Sequence, residues 1–124
     1  MAETIFSKII SKEIPANIVY ESDNVLAFKD IDPKAPVHVL IIPKAEIPKV
    51  TDINGKEHAQ LLGEMFDAAN KIAKENGIDK DGFRLVINCG DNAGQAVHHL
   101  HLHLLGGWTK QEDIDKMPHP SLDK

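Results

Sequence analysis

With 124 residues and a formal net charge of −5 (14 Lys+Arg against 19 Asp+Glu), the chain has no basic run with which to grip nucleic acid by its phosphates. Its 42% hydrophobic residues suffice for the core of one domain, no stretch approaches the ~18 apolar residues of a membrane span, and the start is not basic-then-apolar. The single cysteine, Cys89, excludes a disulfide framework and a multi-cysteine zinc site, so a cytoplasmic protein without a membrane or nucleic-acid partner is expected.

Thr4 is an N-cap residue by type, and Ile5, Phe6, Ile9 and Ile10 then recur at helical spacing, with Pro15 barring the helix beyond Ile14. The β-rich runs "NIVYE" (17–21) and "VLAFKDI" (25–31), separated by "SDN", predict a hairpin. After "DPKAP", the run "VHVLIIP" (37–43) is apolar on both faces apart from His38, which predicts a central strand. Between about Gly55 and Asn76 the stripe Leu61, Leu62, Met65, Phe66, Ala69, Ile72 and Ala73 predicts a second amphipathic helix. Gly77 is its C′ residue, and His58 lies on the surface at its start. A strand "FRLVINC" (83–89), a glycine-containing turn "GDNAGQA" (90–96) and a histidine-rich strand follow. Five strands joined by short connections, with two segregated helices, predict an α+β fold with a five-stranded antiparallel sheet.

The histidine-rich stretch is "HHLHLHLL", residues 98–105. On a strand, residues two apart share a face, so His99, His101 and His103 project together while Leu100, Leu102 and Leu104 project oppositely. One face packs and the other is left for chemistry; His98, on the leucine parity, is assigned to packing or a dimer contact. Two chemistries suit such a row of imidazoles. Zinc takes three histidines and a water in some hydrolases, although a row about 13 Å long at ~3.3 Å per residue stretches the outer pair for one ion. The metal-free alternative is a neutral imidazole that attacks phosphorus while neighbouring histidines and backbone N–H groups hold the phosphate oxygens.

His99-Leu100-His101-Leu102-His103-Leu104-Leu105 resembles the His-φ-His-φ-His-φ-φ signature of the histidine triad superfamily. The resemblance extends over about residues 4–107 through "TIFSKIISKEIPA", "FKDIDPKAPVHVLIIPK", "LVIN", "GQA" and "GG", and is strongest to the branch of nucleotide-binding purine nucleoside phosphoramidases. One domain over 1–107 is expected, followed by a tail over 108–124 whose prolines and many charges predict irregular structure; the resemblance implies a homodimer whose two sheets form one of ten strands. It implies no cofactor and no metal. The implied substrate is a purine nucleotide (AMP or GMP) joined to an amine.

By motif position, the resemblance makes His101 the nucleophile of a nucleotidyl-histidine intermediate, with His103 on the phosphate, His99 supporting His101, and His38 in the same network. Asn88 falls near the phosphate ester, Gly94, Gln95 and Ala96 in a loop whose backbone donors approach the phosphate, and Asp30 and Ile31 at the ribose and base. Phe6, Ile9, Ile14 and Phe28 wall the purine pocket; by spacing alone each is also a core residue. The chain departs from the pattern at Ala96, where many members have serine directed at the leaving atom, and at His98, where tyrosine is common. Its tail, with Trp108 and His119, replaces a short ending that tunes leaving-group preference in the family. A dinucleoside polyphosphate hydrolase, a nucleotidyl transferase and a non-catalytic dimeric nucleotide-binding or scaffold protein remain alternative readings.

Overall fold

A computed structural model describes residues 3–109. Helix α1 (Ile5–Ile10) starts at a capping box: the Thr4 hydroxyl oxygen accepts the Ser7 amide at 3.1 Å, and the Ser7 hydroxyl oxygen accepts the Thr4 amide at 2.8 Å. It stops short of Ile14. Lys12 takes a left-handed φ of 69°, and the amides of Glu13 and Ile14 both turn back onto the Lys8 carbonyl, so the chain tightens instead of adding a turn.

Strands β1 (Ile18–Glu21) and β2 (Val25–Lys29) form the expected hairpin, with the Ser22 hydroxyl oxygen accepting the Val25 amide in the turn. β2 ends earlier than expected, because Asp30 turns its carboxylate onto the Asp32 amide at 2.8 Å and starts a bend that Pro33 prolongs. β3 (Val37–Pro43) is central, as its two apolar faces require. α2 (Ala59–Glu75) ends in a Schellman arrangement: Gly77, at φ 68°, donates to Lys74 and Ile78 donates to Ala73. β4 (Phe83–Val86) and β5 (Leu102–Gly106) complete an antiparallel sheet of order β1-β2-β3-β5-β4. Two short 3-10 turns, Val50–Asp52 and Asp91–Ala93, lie in the connections. No helix among the described residues is long and apolar enough to cross a membrane.

Alternation along the strands builds two cores. Val25, Ala27, Val39, Ile41, Leu102 and Leu104 face α2, meeting Met65, Ala68, Ala69, Ile72 and Ala73. Leu26, Phe28, Leu40 and Ile42 face the other way, under Phe6 and Ile9 of α1. In α2 the stripe includes Ala68 and leaves Phe66 at its flank, 48% exposed, which corrects the expectation that Phe66 is core.

The histidine stretch also departs from expectation. β5 begins only at Leu102, so His99 and His101 precede the ladder. The reason lies in the partner strand: β3 ends at Pro43, which has no N–H to donate, and the Leu100 amide bonds the Ile47 carbonyl at 2.7 Å instead. The side-chain alternation survives, with Leu100, Leu102 and Leu104 all in the core under α2. Of the tail, Trp108 and Thr109 are described and take no regular structure; residues 110–124, including His119, lie outside the described residues.

Candidate active site

The face of the sheet under α1 opens into a cavity of about 780 Å³. Its apolar wall is Phe6 and Ile9 from α1, Ile14 beyond it, Phe28 from β2 and Leu40 from β3. His101 and His103 supply imidazoles, and Asp30 and Ile31 form part of the rim after β2, with Ile31 96% exposed. α1 is short, yet it sets the nucleophile candidate: the Phe6 ring meets the His101 ring edge-on, with centroids 5.0 Å apart.

The hydrogen bonds assign the tautomers. His101 Nδ1 lies 2.7 Å from the His99 carbonyl oxygen, which can only accept, so Nδ1 carries the proton and Nε2 of the neutral ring holds a lone pair. Burial, the largest influence, pushes His101 below its ordinary pKa of 6.5, against the raising effect of the His99 carbonyl. His99 is buried off the cavity wall and donates its own Nε2–H to the Pro43 carbonyl at 2.8 Å. It therefore acts on His101 through its backbone oxygen, while its ring is tied to the end of β3.

His38 stands behind His103. Its Nδ1 accepts the Lys34 amide at 3.0 Å, so its proton sits on Nε2, which lies 3.0 Å from His103 Nδ1. His103 accordingly accepts at Nδ1 and carries its proton on Nε2. Burial also lowers the His38 pKa, more than the nearby Asp30 raises it.

The loop before the histidines is placed less simply. Gly94 and Asn88 are buried but not on the cavity wall, and the Gly94 and Gln95 amides are spent on the Asp91 and Gly90 carbonyls at 3.0 and 3.1 Å. The Gln95 side chain braces the loop: its amide oxygen accepts from Gly90 and its NH2 donates to the Pro48 and Val97 carbonyls. Ala96 reaches the wall, exposed, and among the described residues its amide takes no backbone acceptor. His98 does not pack with the leucines. The bend over residues 97–99 swings it to the cavity mouth, where its side chain is 62% exposed and lies 3.7 Å from Asp91.

Two residues of the site are not anticipated from the sequence: Lys34, whose amide fixes His38 and whose side chain lines the cavity beside Asp32 at 2.7 Å, and Asp91 at the mouth. Position within "DPKAP", one residue after a proline and four before a histidine, is the only clue to Lys34.

A five-stranded antiparallel sheet with a histidine-lined cavity on one face is the architecture of histidine triad proteins, and the HIT domain family model matches residues 11–110. The chain belongs to that family. It is 56% identical over 105 residues to the purine nucleoside phosphoramidase of Escherichia coli K12, covering 85% of this chain and 87% of the relative. It is 50% identical over 106 residues to a Brassica juncea protein named a 14 kDa zinc-binding protein, covering 85% of this chain and 93% of the relative. The solved HIT family hydrolase from Clostridium thermocellum superposes with a TM-score of 0.84 at 49% identity, covering 97% of this chain and 98% of that one.

The zinc in the Brassica juncea relative's name has one candidate donor set among the described residues. Asp30, His38 and His103 bring three ligand-type atoms within 4.8 Å of one another. To ligate through Nε2, His38 would have to move its proton to Nδ1, against the Lys34 N–H that donates there. The cluster does not fit a metal in this arrangement.

Proposed function

We propose that the protein hydrolyses the P–N bond of purine nucleoside 5′-phosphoramidates through a nucleotidyl-histidine intermediate on His101. The observation that carries this reading is the His101 tautomer: Nδ1–H tied to the His99 carbonyl leaves a lone pair on Nε2 in a ring that walls the cavity. That nitrogen forms a bond to the α-phosphorus as the P–N bond breaks with its electron pair on the amine. The departing amine takes a proton from water at the open mouth, since Ala96 has no hydroxyl to supply one. His103 Nε2–H holds a non-bridging oxygen, and the Ala96 amide, in the residue of the loop that lines the cavity, holds another. Water then cleaves the His–P bond, releasing the nucleoside monophosphate and restoring His101. The purine sits against Phe6, Ile9, Ile14 and Phe28, and the ribose hydroxyls donate to Asp30.

The active form is a cytoplasmic homodimer in which a second copy extends the sheet from an edge strand. β4 is such an edge, and Ile87 beside it is 40% exposed. Incubation with an AMP-amine conjugate, followed by acid-free mass spectrometry, tests the chemistry. Release of AMP together with a transient adenylyl adduct on His101 is expected. Cleavage of diadenosine polyphosphates with no turnover of any amine conjugate would replace this reading with the polyphosphate hydrolase, and nucleotide binding without any turnover would replace it with the binding protein.

A further inference from the structure

The single proton of His38 faces two acceptors. Nε2–H lies 3.0 Å from His103 Nδ1 and, at a longer 3.5 Å, from Asp30 Oδ2. Distance favours the histidine; formal charge favours the carboxylate. His38 has no second proton to share, because its Nδ1 is occupied by the Lys34 amide and protonation there would oppose two donors. The groups facing the ring are Asp30, Asp32, Lys34 and His103. Asp30 is held in place by the Asp32 amide on its other oxygen, and it lines the same cavity as His103.

We propose that Asp30 couples sugar recognition to phosphate recognition through this shared proton. When ribose hydroxyls donate to the Asp30 carboxylate, its claim on the His38 N–H weakens, and that N–H passes wholly to His103. The His103 ring is then fixed in the tautomer that carries its proton on Nε2, the one that donates to the phosphoryl oxygen. Without the hydroxyls, the carboxylate keeps pulling on His38 from 3.5 Å, and the 3.0 Å bond that anchors His103 is weakened but kept. The inference rests on the nucleotide-hydrolase reading above and adds that His38 is a positioning residue whose strength is set by the sugar.

The test compares a purine ribonucleoside phosphoramidate with its 2′,3′-dideoxy analogue in the wild-type protein and in Asp30→Ala. In wild type the dideoxy substrate should lose kcat by about fivefold in addition to any rise in KM, the size expected for one weakened hydrogen bond. In Asp30→Ala the carboxylate competitor is gone, so the kcat difference between the two substrates should vanish while KM for the ribonucleoside rises. A dideoxy effect confined to KM in wild type, or an unchanged kcat ratio in the variant, would overturn the coupling. The second readout needs only wild-type protein and no turnover. In 15N-resolved imidazole NMR, the His38 Nε2–H resonance should move with AMP and stay in place with 2′,3′-dideoxy-AMP. Equal movement with both ligands overturns the coupling and leaves the hydrolase reading standing, whereas no binding of AMP and no turnover overturns both.

Discussion

His101 Nδ1 donates to the carbonyl oxygen of His99, two residues back, across 2.7 Å. A ring whose partner is its own near backbone cannot rotate to present the protonated nitrogen, so the lone pair on Nε2 is the only face it offers the cavity. The proposed nucleophile is thus preorganised by a local bond before any ligand arrives.

His101→Asn removes that lone pair while keeping a polar side chain of similar reach. Phosphoramidate turnover should fall by about a thousandfold or more, with AMP affinity changed only severalfold. Stopped-flow turnover and calorimetric AMP titration measure the two separately. Near-wild-type turnover would remove His101 from the chemistry.

Burial holds both His101 and His38 below the ordinary 6.5, and this fixes two pH profiles. The acid limb of kcat/KM should lie below pH 6.5, with a flat plateau through neutrality. Stability follows the same sign. Well above 6.5 neither the folded nor the unfolded state protonates these rings. As pH falls below 6.5 the unfolded chain takes up protons that the folded one refuses, so Tm should decline until the lowered folded values are passed. A limb centred above pH 7, or a Tm that rises on acidification through 6, contradicts the burial argument.

Gln95→Leu should destabilise the protein through the loop, not through lost phosphate contacts. The change strands the Gly90 N–H and the Pro48 and Val97 carbonyls, costing about 2–4 kcal/mol and lowering Tm by roughly 10 °C. Denaturant titration gives the free energy. A fully stable variant would mean that water replaces all three bonds.

Gly106→Ala tests the packing at the end of β5. An added Cβ would stand 2.7 Å from Ile78 Cδ1 and 3.2 Å from Phe83 Cβ. Overpacking there should cost about 1–3 kcal/mol, and trimming the neighbour with Ile78→Val should recover part of it in the double variant.

Elements set by side-chain period are legible in the sequence. Val37–Pro43 announces a central strand by its two apolar faces, and the leucines at 100, 102 and 104 announce their shared core. The cavity residues Phe6, Ile9, Ile14, Phe28, Asp30, Ile31, Ala96, His101 and His103 were likewise reachable by motif position. What period could not supply was where the ladder starts, because that depends on Pro43 in a distant strand lacking a donor. Nor could it supply the path of a loop whose amides bond one another. Hence Gly94 and Asn88 fall away from the wall, and His98 leaves the leucine side for the mouth. Lys34 was hidden because it acts through its backbone N–H, which every residue but proline possesses.

The segment running into β5 serves two masters on opposite sides of one ribbon, leucines on one side and imidazoles on the other. A slip of a single residue would exchange them, thrusting rings into grease and aliphatic chains into the cavity. Mutations that loosen this alignment should therefore never surface as a folded but inert protein; cells would meet them as a chain degraded by proteases.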